Sequence, residues 1–594
     1  MCGIFFSIGF EDLSPQVIDS VTHRGPDGRG WNEFKSPYGP VIMAHRRLSI
    51  IDLSEDGHQP MSSQDSRYWI TYNGEIYNYL ELKKELEDQG CSFQTHTDTE
   101  VLLKSFIHWG ADCLNKLNGM FAFVIWDEKE KKAFVARDRF GVKPLYYYKQ
   151  GNKIAFASEI KQFTYLPGFE SLLNTDHFSY FLANRHHPIG DTTCFKDVMH
   201  MEPGNYAEYE KEEFTIQKWY DPEKAPQDNF YKVISPESFK SLFSDSIQKR
   251  LISDVPTGAL LSGGLDSSSI VCTIFDVLQN ASSKYQEIKT FTSYSPHPDI
   301  DESEYSDAVT NKTGIQNIKA TIELDSLQGC IEKIIYHQEE PFINTSIHSE
   351  WNIYKTIKNH TNLKVVLDGQ GADELLCGYL FMVPHVLADM VKSHNYFNFL
   401  TELISIRKNH SNLSFITLIM DVMNQTYPLL LEKIQKFRGK PFVKGKRFEN
   451  FNEYTLYLIR RSIEPQLRWQ DRSSMAFSIE SRQPFLDYRV VENLLRIPTK
   501  QKFRKGSTKA LLRESMRGIL PEKVRTRHSK FGFPSPQGAL LESVETEYFQ
   551  KYMRIGENII ESVLPNSLNI YNDSQKSCLK MTTGLWAEKF GVSL

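Results

Sequence analysis

Apolar and polar residues alternate through much of the first third of the chain. Segments 121–125, 132–136 and 154–157 show this period of two, which predicts short β-strands. An earlier segment, 79–86, has its apolar residues at helical spacing, and Gly90 follows it as a helix-terminating residue. This part of the chain is therefore predicted to form sheets stacked on one another, with helices outside them.

The pattern changes around residues 210–236, where a polar, charged segment without clear periodicity predicts an interdomain linker. Beyond it, apolar strand candidates at 258–261, 289–294 and 364–367 are separated by helical patterns. This alternation is typical of a parallel sheet with crossover helices. From about Phe397 onward, the apolar positions suit helices.

The overall composition limits the function classes that fit. With 594 residues the chain is too long for one hydrophobic core, and we predict domains at residues 1–215 and 236–594. The net charge of −5 gives no reason to expect nucleic acid as a partner. No stretch reaches the roughly 18 apolar residues that span a bilayer, so no membrane partner is expected. The eight cysteines form no CxxC pair, which favours a reducing, cytoplasmic location.

Cys2 is the first candidate for chemistry. Removal of Met1 would leave a thiol and a free α-amine on one residue. An α-amine has a pKa of roughly 7.7 to 8.0, so part of it is unprotonated at neutral pH and can act as the base for the thiol. Taken alone, Cys2 would be explained better as an ordinary buried cysteine.

Five motifs follow Cys2 in the N-terminal part of the chain. They read HRGPDG (23–28), HRRLSIIDL (45–53), YNGEIYNY (72–79), HTDTE (96–100) and RDRFGVKPLYY (137–147). In this order, and over about residues 2–210, they resemble the class II glutamine amidotransferase domain, whose fold is an N-terminal-nucleophile αββα sandwich. The resemblance implies that Cys2 attacks the side-chain amide of glutamine, forms a thioester and releases ammonia.

Such a glutaminase needs groups that meet the charges of its substrate. Asn73 offers a side-chain NH₂ and Gly74 a backbone N–H to the developing oxyanion, and glycine suits a tight turn that approaches substrate closely. The Asn-Gly pair alone would instead predict a plain hairpin turn. Arg47 can take the α-carboxylate of glutamine through two hydrogen bonds. Glu75 and Asp98 match the family positions that hold the α-ammonium group.

The motif SGGLDSS, residues 262–268, lies between a predicted strand ending at Leu261 and a helical apolar stripe at 270–278. Glycines and hydroxyls at a helix N-terminus predict a phosphate cradle, because free N–H groups and the helix dipole favour anions there. No GK[ST] follows, so this is not a Walker A loop. The motif resembles the pyrophosphate loop of the ATP pyrophosphatase fold, a doubly wound parallel α/β domain. That resemblance implies ATP contacts from Ser262, Gly263, Gly264 and Ser267, and Mg²⁺ held by Asp266.

A second polar segment, LDGQGADELLCGY at residues 367–379, follows a strand candidate, and open α/β sheets bind ligands at the carboxyl ends of their strands. With DRSSMAFSIESRQPFLD (471–487) and RHSKFGF (527–533), it resembles the synthetase domain of glutamine-hydrolysing asparagine synthetases over about residues 236–540. In this segment, Asp373 and Glu374 add carboxylates for metal or substrate. The resemblance implies nucleotide contacts from Leu260, Ser293, Asp368 and Gly369, and a cationic stabiliser of adenylation in Lys530. Lys530 would fit a solvated basic surface equally well.

Gln370 departs from the family pattern. Well-studied asparagine synthetases carry at this position a glutamate linked to the formation of aspartyl-adenylate. A glutamine cannot act as a base, so any catalytic role of Gln370 is limited to orientation by hydrogen bonds.

Several functions fit these motifs. The leading interpretation is an ATP-dependent amide ligase that makes asparagine from aspartate with ammonia from glutamine. A second keeps both half-reactions but takes another carboxylate, such as a uronic acid or a secondary metabolite. The complete set of glutaminase residues disfavours a cyclase resembling β-lactam synthetase, and the complete set of motifs disfavours a catalytically inactive interaction protein. The acceptor and the oligomeric state stay open, with a homodimer as the candidate assembly.

Overall fold

The computed structural model describes residues 2–224, 233–280, 288–294, 301–321, 326–410, 413–437, 446–528 and 547–594. Within the first of these ranges, strands dominate. They are β1 (Gly3–Ile8), β2 (Gly28–Ser36), β3 (Gly39–Arg47), β4 (Met61–Ser62), β5 (Tyr68–Ile76), β6 (Gly119–Asp127), β7 (Lys132–Arg137), β8 (Tyr146–Gln150), β9 (Lys153–Ala157), β10 (Val198–His200), β11 (Asn205–Glu210) and β12 (Glu213–Lys218).

These strands form two antiparallel sheets stacked face to face. Sheet 1 has the order β10-β8-β9-β1-β3-β2 and sheet 2 the order β12-β11-β7-β6-β5-β4. Alternation along β6 sends Val124 and Trp126 into the core between the sheets, whereas Phe121 and Phe123 pack against helices on the outer face. The period-two pattern in the sequence is therefore confirmed as sandwich strands.

Helices cover both outer faces of the sandwich. They are α1 (Gln16–Asp19), α2 (Tyr79–Asp88), α3 (Asp98–Trp109), α4 (Cys113–Lys116) and α5 (Thr175–Asn184). The predicted helix at 79–86 is confirmed as α2, and Gly90 beyond it has a φ of +88°. Helices α2 and α3 pack on sheet 2, and α1 and α5 pack on sheet 1, which completes the predicted αββα arrangement.

Part of the predicted linker was wrong. Residues Glu213–Lys218, which looked like linker because their composition is polar, form β12 and pair along β11. Edge strands tolerate such composition because one side of the ladder and much of each face meet water.

The second half of the chain is built around a five-stranded parallel sheet. Its order is β15-β14-β13-β16-β17, so the chain moves outward from β13 in one direction and then in the other. The strands are β13 (Thr257–Leu260), β14 (Lys289–Tyr294), β15 (Gln316–Thr321), β16 (Val365–Leu367) and β17 (Glu480–Arg482). Its helices are α6 (Pro236–Arg250), α7 (Leu265–Asn280), α8 (Ser303–Thr313), α9 (Ser326–Gln338) and α10 (Ser346–His360). The three strand candidates and the doubly wound architecture are confirmed.

Beyond β16 the chain is mainly helical, and the prediction of helices from about Phe397 onward is confirmed. The helices are α11 (Ala372–Leu375), α12 (Val383–Lys392), α13 (Tyr396–Asn409), α14 (Phe415–Thr426), α15 (Pro428–Phe437), α16 (Phe451–Leu458), α17 (Glu464–Met475), α18 (Tyr488–Arg496), α19 (Thr499–Lys502), α20 (Ala510–Ser515), α21 (Glu522–Arg525), α22 (Glu547–Val563) and α23 (Asp573–Phe590), with a π-helical turn at Ile459–Ile463 and a small hairpin of β18 (Phe503–Arg504) and β19 (Ser507–Thr508). Among the described residues, one stretch, Ala372–Lys392, has the length and apolarity to cross a membrane, but it is 61% buried, as core helices are.

Buried ion pairs join the two halves. Arg24 of the N-terminal half contacts Asp471 at 2.8 Å, and Arg472 of the second half contacts Glu159 at 2.9 Å. Arg472 also contacts Glu339 of its own half at 2.7 Å. Removing one partner of a buried pair costs about 3–5 kcal/mol, because the remaining charge is left without compensation. The relative position of the two halves is therefore strongly specified.

Candidate active sites

Cys2 lies at the start of β1, directly opposite Asn73 of β5. The backbone N–H of Cys2 donates to Asn73 Oδ1 at 2.9 Å, and Arg24 Nε donates to the Cys2 carbonyl oxygen at 3.0 Å. Asn73 is fully buried, and its Nδ2 has no hydrogen-bond partner among the residues that the structure describes. A buried N–H donor that lacks a partner and lies beside a thiol can donate a hydrogen bond to negative charge that develops during the reaction.

Burial raises the pKa of the Cys2 thiol above its ordinary value. Desolvation disfavours the thiolate, so the resting residue carries a thiol and needs a base in order to attack. This agrees with the expectation that the α-amine of an N-terminal cysteine removes the thiol proton.

Gly74 does not lie in a turn. It sits inside β5, paired with Phe121 of β6, while Asn73 pairs with Ala122. A Cβ atom at this position would lie 2.2 Å from the carbonyl oxygen of Met120, which is closer than atoms can approach. The predicted tight turn is therefore wrong, and glycine is required because a neighbouring strand passes too close for a side chain.

One pocket brings together most of the residues predicted to bind glutamine. Its lining includes Cys2, Arg47, Gly74, Glu75 and Asp98. These residues come from β1, from the ends of β3 and β5, and from the first turn of α3. The antiparallel packing of the two sheets thus collects residues that are far apart in sequence.

The guanidinium of Arg47 is held in place by backbone carbonyls. Nη1 donates to the Ser54 carbonyl oxygen at 2.6 Å, and Nη2 donates to that of Asp52. A Cβ at Gly57 would lie 1.9 Å from Nη2, so only glycine leaves room for this group. In the described part of the chain, the other N–H groups of Arg47 have no acceptor, so they can meet a carboxylate in the pocket.

Two buried carboxyl groups face the same pocket. Asp98 accepts hydrogen bonds from the Tyr72 hydroxyl at 2.9 Å and from the Ile76 amide at 3.0 Å, yet burial raises its pKa to about 6. Burial also raises the pKa of Glu75 well above its usual range, and Arg482 at 3.4 Å opposes that shift. The pocket therefore offers acidic groups whose charged forms a cation would stabilise.

The SGGLDSS segment forms a hydroxyl-rich loop between β13 and α7. Ser262 and Ser267 place their Oγ atoms 3.0 Å apart, and Ser262 Oγ accepts the backbone N–H of Gly264 at 3.3 Å. Gly263 has a φ of +74°, which favours glycine, and a Cβ there would lie 2.8 Å from Ser306 N. The loop occupies the carboxyl end of β13, where the sheet order reverses between β14 and β16. Open α/β sheets bind ligands at such a switch point.

Asp266 and Asp373, the two predicted metal ligands, converge on one lysine. Lys509 Nζ lies 2.5 Å from Asp266 Oδ2 and 2.6 Å from Asp373 Oδ1, and all three side chains are largely buried. A Cβ at Gly378 would lie 1.9 Å from Asp373 Oδ1, so the backbone closes over this cluster. Two carboxylates sharing a cation form a donor set that suits a hard ion such as Mg²⁺.

Asp368 follows β16 and is held by the neighbouring strand. Its carboxylate accepts hydrogen bonds from Gln483 Nε2 at 2.9 Å, from the Ser481 hydroxyl and from the backbone N–H of Gln370 at 2.9 Å. The side-chain amide of Gln370 makes no hydrogen bond to any described residue, and it is partly exposed. Gly369 packs closely on Asp266, because a Cβ built on this glycine would lie 3.1 Å from the Cβ of Asp266. Leu260 ends β13, and Ser293 lies near the end of the adjacent β14.

Sequence comparisons agree with this division of the chain. Residues 1–220 match the glutamine amidotransferase domain family, and residues 238–554 match the asparagine synthase family. The chain belongs to the glutamine-hydrolysing asparagine synthetase family. It is 31% identical over 555 residues to asparagine synthetase [glutamine-hydrolyzing] 1 of Bacillus subtilis (strain 168), covering 89% of this chain and 84% of that protein.

Two more relatives show the breadth of the similarity. Asparagine synthetase [glutamine-hydrolyzing] 3 of Bacillus subtilis (strain 168) is 30% identical over 549 residues, which cover 89% of this chain and 86% of the relative. Amidase chry2 of Gibberella zeae is 25% identical over 86% of this chain and 83% of its own length.

Some site residues of this synthetase family member escaped the sequence analysis. Lys509 was not singled out in the sequence, and Arg482 and Glu480 stood in the quoted motif 471–487 without assigned roles. On β17, Glu480 and Arg482 face the glutamine pocket through Glu75, while Ser481 between them donates to Asp368. The alternation of side chains along β17 was the signal that could have located these residues. Their contacts, however, form only when the two halves of the chain pack against each other. Lys530 lies outside the described residues.

Proposed function

We propose that this protein makes asparagine from aspartate, with glutamine as the nitrogen donor and ATP as the source of activation. The observation that carries the proposal is the buried Nδ2 of Asn73, which has no hydrogen-bond partner in the described part of the chain and lies beside the backbone nitrogen of Cys2, in a chain that also carries the pyrophosphate loop. The first feature suits amide hydrolysis by a thiol. The second suits adenylation of a carboxylate.

In the glutaminase half-reaction, the Cys2 sulfur attacks the side-chain carbonyl carbon of glutamine, and the thiol proton passes to the α-amine exposed by removal of Met1. Asn73 Nδ2 and the Gly74 N–H donate hydrogen bonds to the oxyanion that forms. The C–N bond then breaks, the base returns its proton to the leaving nitrogen, and ammonia departs. Water hydrolyses the resulting thioester to glutamate. Arg47 binds the α-carboxylate of glutamine, while Glu75 and Asp98 bind its α-ammonium group.

In the synthetase half-reaction, the side-chain carboxylate of aspartate attacks the α-phosphorus of ATP and pyrophosphate leaves. Ser262, Gly263, Gly264 and Ser267 hold the pyrophosphate, because the N-terminus of α7 favours anions. The nucleotide contacts Leu260, Ser293, Asp368 and Gly369. Ammonia then attacks the acyl carbon, which gives asparagine and AMP.

Mg²⁺ fits the carboxylates of Asp266 and Asp373, which share the Lys509 ammonium between them. When bound there, the ion would neutralise charge on the departing pyrophosphate. Lys509 supplies a further positive charge at the same place. Lys530 remains a proposed stabiliser of the adenylation step.

Gln370 supplies no base, so we propose that adenylation of aspartate proceeds without proton removal at this position. A carboxylate attacks phosphorus as an anion and does not need a base. The side-chain amide of Gln370, which makes no hydrogen bond to a described residue, can orient the acceptor by hydrogen bonds. We further propose a cytoplasmic location and a homodimer.

The test supplies purified protein with ATP, Mg²⁺, aspartate and glutamine labelled with ¹⁵N in its amide. We expect AMP and [¹⁵N]asparagine in equal amounts. The control omits aspartate and should release glutamate without AMP. If aspartate yields no AMP above background while a uronic acid or another carboxylate does, asparagine synthesis is refuted and the amidotransferase class survives.

A further inference from the structure

Exposed apolar side chains are concentrated in one part of the helical region. Half of the large apolar residues exposed in the described part of the chain lie within residues 380–430. Phe397 is 78% exposed, Leu429 73% and Ile404 72%. The complete set in this region is Leu380, Phe381, Tyr396, Phe397, Leu400, Ile404, Phe415, Ile416, Tyr427, Leu429 and Leu430.

Helix α13 shows that this exposure exceeds what packing requires. Leu403 and Ile406 point into the protein and are buried. Phe397, Leu400 and Ile404 follow one another at spacings of three and four, so they form a second apolar stripe beside the buried one. A helix that only covered a core would carry polar residues on this outer face.

The next two helices repeat the arrangement. In α14, Leu418 and Val422 are buried, whereas Phe415 and Ile416 are exposed. In α15, Leu429 and Leu430 are exposed beside the buried Leu431. Helix α12 packs against both α13 and α14, and α14 packs against α15, so the apolar stripes belong to one helical lobe. We call the exposed apolar side chains of α13 to α15 together the apolar face.

The exposed charges in the same stretch of the chain are mainly basic. The exposed charged side chains between residues 392 and 447 that the structure describes are Lys392, Arg407, Lys408, Lys433, Lys436, Lys446 and Arg447, against Asp421 and Glu432. The whole chain has a net charge of −5, so this basic region stands out from an otherwise acidic protein. Large apolar groups flanked by Lys and Arg are typical of surfaces that bind anionic lipid headgroups and insert into the interface.

We propose that the apolar face of α13 to α15 binds the surface of an anionic lipid bilayer. The apolar side chains enter the boundary between headgroups and acyl chains, and the surrounding lysines and arginines pair with lipid phosphates. A second copy of the chain fits less well, because docking through the same face would bring two basic surfaces together. The sequence-based expectation of no membrane partner came from the lack of a spanning segment, and surface binding does not need one.

The lobe carries none of the residues assigned to the glutamine pocket, the pyrophosphate loop or the Lys509 cluster. Membrane binding would therefore place the enzyme near a surface without altering its chemistry. Variants of the apolar face should leave glutamine hydrolysis unchanged, which provides an internal measure of correct folding.

The experiment measures co-sedimentation of the full chain with vesicles of phosphatidylcholine alone and with vesicles containing phosphatidylglycerol. We expect binding to the anionic vesicles only, weakened at high salt because each basic group near the surface contributes about fivefold to partitioning. The variant Phe397→Ser/Leu400→Ser/Ile404→Ser should bind at least tenfold more weakly. Arg407→Glu/Lys433→Glu/Lys436→Glu should weaken binding to a similar degree.

A matched control removes three exposed apolar side chains elsewhere, in Ile107→Ser/Ile189→Ser/Ile570→Ser, and should bind like the wild type. Equal binding of the wild type to both vesicle types would overturn the proposal. So would unchanged binding of the Phe397 triple variant with intact glutaminase activity. Sedimentation equilibrium without lipid supplies a third check, because a dimer that the Phe397 triple variant abolishes would assign the apolar face to a second copy of the chain.

Discussion

Replacing Asn73 by alanine tests the oxyanion site most directly. The side chain makes one hydrogen bond in the resting protein, from the Cys2 backbone nitrogen to Oδ1 at 2.9 Å, and its Nδ2 makes none to a described residue. Removal of Met1 turns this Cys2 nitrogen into the α-amine. Loss of the hydrogen bond to Oδ1 removes a net stabilisation of about 1 kcal/mol from the bound position of Cys2. Because Nδ2 makes no hydrogen bond to a described residue, its loss breaks no such bond in the resting protein. The effect of losing this donor therefore falls on the transition state.

Deleting one oxyanion donor lowers kcat by about 10² to 10³, which corresponds to about 2.7–4 kcal/mol. We therefore expect Asn73→Ala to lower kcat for glutamine hydrolysis by at least about a hundredfold. KM should change much less, because the charged ends of glutamine meet Arg47, Glu75 and Asp98. Asn73→Asp separates the two roles, since it keeps an acceptor for the Cys2 amide but replaces the donor by oxygen, and it should be equally impaired.

The assay follows glutamate release without aspartate, and ammonia-dependent asparagine formation reports on folding. Asn205→Ala serves as the matched control, because Asn205 is buried on β11 in the same sheet. Glutamine hydrolysis within threefold of the wild type in Asn73→Ala would refute the oxyanion assignment. A large loss in Asn73→Ala together with normal turnover in Asn73→Asp would show that the amide serves only to anchor Cys2.

Four other changes test the remaining assignments. Cys2→Ala should abolish glutamine hydrolysis while ammonium still supports aspartate-dependent AMP formation, and loss of both activities in folded protein would contradict separate sites. Lys509→Met removes the ammonium that Asp266 and Asp373 share, which should cost about 3–5 kcal/mol of folding stability. Added Mg²⁺ should raise the Tm of this variant, and no response would argue against a metal site. Burial raises the pKa of Asp98 to about 6, so Asp98 is charged above that pH and neutral below it. KM for glutamine should therefore rise as the pH falls from 7 to 5, and Asp98→Asn should make KM nearly independent of pH over this range. Gln370→Glu should change aspartate-dependent AMP release by no more than about tenfold, or roughly 1.4 kcal/mol of barrier, and a larger change would give position 370 a direct part in adenylation.

The sequence predicted local structure well wherever burial imposes a simple period. Alternation in β6 and the apolar stripe of α7 both follow from packing on one or two faces. It failed at β12, whose polar residues are stabilised by backbone pairing to β11 and not by burial. It also failed at Gly74, because the need for glycine arises from the carbonyl of Met120, on a strand far away in sequence.

By itself, the sequence determined the fold class and the family, and it predicted the groups that carry the chemistry, because the nucleophile, the phosphate cradle and the carboxylates stand in short motifs with local physical logic. Only the tertiary structure decided which charges meet. Lys509 joins Asp266 to Asp373, and Arg482 reaches Glu75 across the boundary between the two halves. The physical reason is that charge pairing acts through space over a few ångströms. Residues hundreds of positions apart acquire partners only when two sheets and the helices between them pack.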